Sequence, residues 1–127
     1  MSTVEETIRG QLLGGRLPCA KAFAIGTEHG VSPKVVCETA DGIDIRICRC
    51  QLGLFGYEDL GTRRLVRPLS KVAESLEDRI RQASGDGRIS CAATWRIAEE
   101  EGLPRFLVGC ACETLDVRVS PCQLGCF

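Results

Sequence analysis

The chain has 127 residues, a length that suits one domain or two very small ones. Hydrophobic residues make up 44% and charged residues 26%, the balance of a folded globular protein and not of a disordered tail. Sixteen basic against seventeen acidic side chains leave a net charge of -1, so no overall field draws the chain to nucleic acid or to a membrane surface.

The opening stretch MSTVEETIRGQ lacks the basic and apolar regions of a signal peptide, and no apolar run nears the roughly 18 residues of a membrane span. The expectation is a soluble, cytoplasmic protein with no membrane partner. Ser2 and Glu5 fit a capping box that starts a helix. Val4, Ile8 and Leu12 then fall on one face of that helix, which stops at Gly14-Gly15. Arg16-Leu17-Pro18 reads as a short extended piece and leads into a helix from Cys19 to about Glu28. Gly30 suits the left-handed turn that ends this helix, and Pro33 suits the first turn of the next, which runs to about Asp41. Ile43, Ile45 and Ile47 alternate with Asp44 and Arg46, which predicts a half-buried strand. The unit closes on CQLGLF, Cys50 to Phe55.

From Ile80 the same text begins again. Shifting the chain by 72 residues aligns 8–55 with 80–127 without a gap, and seventeen of the forty-eight pairs are identical. Gly15-Arg16 answers Gly87-Arg88, Cys19-Ala20 answers Cys91-Ala92, Gly30 answers Gly102, and CQLGLF answers CQLGCF. The predicted organisation is a first repeat over 1–55, a linker over 56–74 and a second repeat over 75–127. In the second repeat the first helix carries Leu76, Ile80 and Ala83, extended backward by Leu69 and Val72, and Leu115, Val117 and Val119 repeat the strand pattern. A unit of about 50 residues buries little apolar surface and is marginal by itself. The two copies are therefore expected to pack as a pseudo-twofold pair. The fold class expected is mainly α with short strands, an α+β arrangement.

Ile25-Gly26, Gly30-Val31 and Val36 form a pattern that recurs as Ile97-Ala98, Gly102-Leu103 and Val108. A small residue at a helix crossing, a turn glycine and apolar residues just after it resemble the winged helix-turn-helix domain of bacterial transcriptional regulators, here present twice. The resemblance covers about 20 residues of each copy. It implies a DNA-binding regulator that reads double-stranded DNA with the helix after the turn. In the first copy it assigns Ser32 and Lys34 to that role, and the strand adds Arg46 and Arg49. In the second copy the equivalent helix, PRFLVGCACE, has Phe106 for Lys34, Pro104 for Ser32 and Pro121 for Arg49. This helix is too apolar to face a groove and is expected to form a packing or protein-partner surface. Residues 1–70 hold nine basic and eight acidic side chains and residues 71–127 seven and nine, short of the usual electrostatic footprint on DNA. The alternative function is a non-enzymatic interaction or cofactor-handling module that kept the fold without DNA binding.

Nine cysteines without a secretory signal are expected as thiols. Cys19 and Cys50 recur as Cys91 and Cys122, and a twofold arrangement would gather the four. Four thiolates suit zinc or an iron–sulfur cluster. The same residues also suit the core as small hydrophobes, or redox sensing without a metal. His29, the single histidine, is expected at the surface, Trp95 answers Phe23 as a core residue, and no nucleophile–base–acid set or phosphate loop is present, so no enzymatic activity is expected.

Overall fold

The computed structural model describes residues 2–126. It is mainly helical with a few short strands. The first copy runs α1 (Val4–Arg9), β1 (Leu17–Pro18), α2 (Cys19–His29), α3 (Pro33–Gly42) and β2 (Ile47–Cys48). A 3-10 turn, Glu58–Leu60, interrupts the linker. The second copy runs α4 (Glu74–Ala83), β3 (Arg88–Ile89), α5 (Cys91–Glu101), α6 (Arg105–Thr114) and β4 (Arg118–Val119). No helix among the described residues is long and apolar enough to cross a membrane.

The 72-residue spacing carries through to the backbone. Leu17 pairs with Ile47, and Ile89 pairs with Val119, each in a parallel two-stranded ladder. Gly30 and Gly102 close α2 and α5 in the left-handed region, at φ 67° and 66°, where a side chain would clash with its own backbone. Asp44 and Asp116 both have positive φ, 59° and 57°.

Those aspartates explain a departure from the alternation. The predicted strand over Ile43, Ile45 and Ile47 shrinks to Ile47–Cys48, because Ile43 caps α3 and Asp44 turns the chain. The period-2 burial survives without strand hydrogen bonds. Each strand pairs in parallel with the extended piece before the two helices, so the two sheets contain no hairpin among the described residues. Three smaller expectations also shift. Thr3 and not Ser2 caps α1, accepting from the Glu6 N–H at 3.1 Å. The fourth helix starts at Glu74, so Leu69 and Val72 reach the core from extended linker. His29 is half-buried and bonds Thr7 Oγ1 at 2.9 Å, tying α2 to α1.

Two apolar clusters form, and they exchange their tails. Leu52, from the CQLG turn of the first copy, is fully buried among Ile80, Ile97, Val108 and Ala111 of the second. Leu124, from the matching turn of the second copy, is 1% exposed among Ile8, Leu17, Ile25 and Val36 of the first. The backbone at Gly53 lies against Phe106, and that at Gly125 lies against Lys34, which is the residue equivalent to Phe106. Where the tails meet the helices, Gly109 leaves no room for a side chain: a Cβ there would overlap the Leu52 carbonyl oxygen. Between the clusters, Phe23 stacks on its counterpart Trp95 with ring centroids 4.4 Å apart. Burying both tails removes apolar surface that neither 50-residue unit could cover alone.

Candidate functional site

Two features lie where the copies meet, a small cysteine-lined cavity and a broad groove. Cys19 and Cys91 stand at the first positions of α2 and α5, and Cys50 and Cys122 open the two CQLG turns. All four line one cavity of about 10 Å³ beside Phe23 and Trp95, room for about one water. Gln51 Nε2 donates to Cys19 Sγ at 3.6 Å, and 72 residues later Gln123 Nε2 donates to Cys91 Sγ at 3.3 Å. Arg105 of the second copy donates to the Gln51 side-chain oxygen and lies 3.6 Å over the Trp95 ring.

Burial governs the charge of these sulfurs. It pushes Cys19 up to about 12, against the pull of the Gln51 donors, and raises Cys50 and Cys91 as well. These three are neutral thiols at neutral pH. Cys122 differs: the Cys126 thiol and the turn's N–H groups bring it down to about 6, outweighing its burial. Among the described residues no set of three or more Cys, His, Asp or Glu side chains is disposed to hold a metal ion. The fold thus gathers the four recurring cysteines at one cavity, with three of them protonated.

The groove has a volume of about 1360 Å³ and draws on both copies. Arg16 and its counterpart Arg88 line it, as do Arg46 and its counterpart Arg118, with Arg63 and Arg64 from the linker. Arg16 pairs with Glu58 at 3.0 Å and Arg64 with Glu113 at 2.7 Å. Arg46, Arg63, Arg88 and Arg118 have no ion pair among the described residues, and they face only Asp41 and Asp116 as further carboxylates. Arginines left unpaired in a concave surface focus a positive potential that net charge does not report.

The residues expected to meet DNA separate into three groups. Arg46 is exposed and lines the groove. Lys34 is exposed beside Gly125, a groove residue, whereas the Ser32 hydroxyl caps α3 by accepting from the Val35 N–H at 3.3 Å. Arg49 is tied to the linker, paired with Asp59 and lying 5.4 Å from the Tyr57 ring centre. Arg88 and Arg118 escaped the sequence reading. The recurrence of Arg16 with Arg88 and of Arg46 with Arg118 was the available signal, since residues repeated at exposed positions share no need for core packing. No family model, no curated protein and no solved structure matches this chain.

Proposed function

We propose that the chain is a DNA-binding transcriptional regulator in which two winged helix-turn-helix-like repeats act as one pseudo-twofold unit. The exchanged tails support the twofold relation, as does the Phe23–Trp95 stack, because a residue that packs on its own counterpart is what an isologous interface produces. One observation carries the functional reading: the groove between the copies holds equivalent arginines from each, four of its six without a carboxylate partner among the described residues. Arg46, Arg63, Arg88 and Arg118 are assigned to backbone phosphates, and Lys34 on α3 to the adjoining base edges or phosphates.

Fluorescence anisotropy with a mixed-sequence duplex tests this over about 50 to 200 mM salt, where affinity falls with a slope of about −0.9 per phosphate neutralised. The double variant Arg46→Ala/Arg118→Ala is expected to bind more weakly and to lower that slope by roughly two. Arg49→Ala is expected to leave the slope alone.

A second reading, an interaction module that does not bind DNA, is favoured by the cover over α6. The Leu65 and Val66 N–H groups bond the Gly53 carbonyl, and the Leu69 N–H donates to Thr114 Oγ1 at 2.7 Å, so the linker lies along α6, the second copy's counterpart of the helix assigned to DNA. Weak retention of wild type that does not respond to salt would select this alternative.

A further inference from the structure

At the second CQLG turn one recurring cysteine, Cys122, meets two thiols that line the groove, Cys126 and Cys37. Cys122 and Cys126 flank the segment Gln123-Leu124-Gly125, which folds back with the Gly125 N–H donating to the Cys122 carbonyl at 3.1 Å. The Leu124 N–H donates to Cys122 Sγ at 3.4 Å, and the Leu124 side chain pins the turn into the first copy's core. The Cys122 and Cys126 thiols interact across this turn, and Cys37 on α3 interacts with Cys126. Cys126 is exposed at the groove and Cys122 is half-buried. The first copy has Leu54 where the second has Cys126, so the pair occurs in only one of the two tails.

We infer that Cys122 and Cys126 form an oxidisable dithiol, a modification site at which a hydroperoxide makes an intramolecular disulfide. The Cys122 thiolate attacks one peroxide oxygen: an S–O bond forms, the O–O bond breaks, and hydroxide leaves. The Cys126 sulfur then attacks the resulting sulfenic acid, forming S–S, while the hydroxyl departs as water with the Cys126 proton. Two thiols lose two electrons in all, and hydrogen peroxide is reduced to two waters. A small dithiol reverses the step by exchange. The chemistry fits the site's electrostatics. The Cys126 thiol and backbone N–H groups bring Cys122 down to about 6, while the same contact raises Cys126, so the attacking and the resolving sulfur are distinct. This inference is independent of DNA binding.

The test is to treat the full chain, purified without oxygen, with one equivalent of hydrogen peroxide and then to map its peptides by mass. Cys122 and Cys126 lie on one tryptic peptide, after Arg118, and Cys37 lies on another, so an internal bond appears as the loss of two hydrogens from the C-terminal peptide. Cys126→Leu, which restores the first copy's residue, is expected to abolish that loss and to leave Cys122 as a sulfenic acid that dimedone traps. Cys37→Ser is expected to leave the disulfide unchanged. Before oxidation, Cys122 is expected to alkylate about four-fold faster at pH 7 than an ordinary thiol, its higher thiolate fraction being partly offset by lower nucleophilicity. A Cys37–Cys126 linkage, or a Cys122 shielded by bound zinc or iron, would overturn the assignment. So would a C-terminal peptide unchanged by peroxide.

Discussion

Helices α3 and α6 occupy equivalent places in the two copies and have opposite surroundings. α3 buries Val36 and Ala40 and leaves Val35 41% exposed. α6 buries every residue from Val108 to Cys112. The backbone plan is the same, so the difference lies in the side chains and in what they admit. Gly109 lets the Leu52 carbonyl sit against α6, where the first copy has the larger Cys37. The linker then lies along α6 through Thr114 and through the Arg64–Glu113 pair. The equivalent face of α3 carries the short second tail, beside Lys34 and Cys37. A duplicated unit needs few substitutions to turn one surface helix into a core helix, because burial follows from what can approach it.

The largest effect expected comes from the exchanged leucines. Leu52→Ala and Leu124→Ala should each lower stability by about 2–5 kcal/mol in denaturant titration, as for other buried leucines. Hydrogen exchange should show Leu124→Ala loosening α2 and α3, and Leu52→Ala loosening α5 and α6. Loosening confined to the copy that carries the substitution would break the exchange of tails.

Next come Gly109→Val and Cys37→Val, which place the same side chain at equivalent positions. Overpacking against the Leu52 carbonyl should cost about 1–3 kcal/mol or more at 109, and less than about 1 kcal/mol at 37. Equal urea midpoints for the two variants would remove the contrast between α3 and α6.

A pH titration sharpens the same comparison. Cys112 stands where the first copy has Ala40, and burial raises it from the ordinary 9.0 to about 11. In this window the unfolded chain releases the proton that the folded chain keeps, so stability falls as pH rises. The loss is about 1.4 kcal/mol per pH unit for this thiol between 9.0 and about 11. Cys19 adds a similar loss that continues to about 12. Cys112→Ala should flatten the curve above pH 9 and leave its slope near pH 7 unchanged, beneath a pH-independent loss from the missing buried sulfur, and an unflattened curve would place this sulfur in solvent.

The smallest effect expected is at Arg105, the position of Pro33 in the first copy. Its guanidinium lies over Trp95 and bonds Gln51, so Arg105→Ala should cost about 0.5–1 kcal/mol by thermal or urea unfolding. It should change DNA affinity less than Lys34→Ala does. A larger loss of binding than that of Lys34→Ala, with stability unchanged, would transfer the reading role to the second copy.

Local pattern determined much of this protein. The 72-residue recurrence, the helices after Cys19 and Cys91, the stops at Gly30 and Gly102 and the apolar character of α6 are all legible in the residues, because periodicity and turn chemistry act within a few positions. The helix starts and the strand were less legible. Thr3 and Ser2 are chemically alike as caps, and apolar alternation reports burial whether or not a ladder forms. What only the tertiary structure decided lies between distant segments. The sequence could suggest that Cys19, Cys50, Cys91 and Cys122 converge, but not that three of them would be neutral thiols around a cavity with room for about one water. It could flag Arg46 and Arg49 alike, but only packing turns Arg46 into the groove and ties Arg49 to Asp59. The exchange of Leu52 and Leu124 left no local trace, because which core a leucine enters depends on the path of the chain around it, and a leucine in either core satisfies the same hydrophobic pattern.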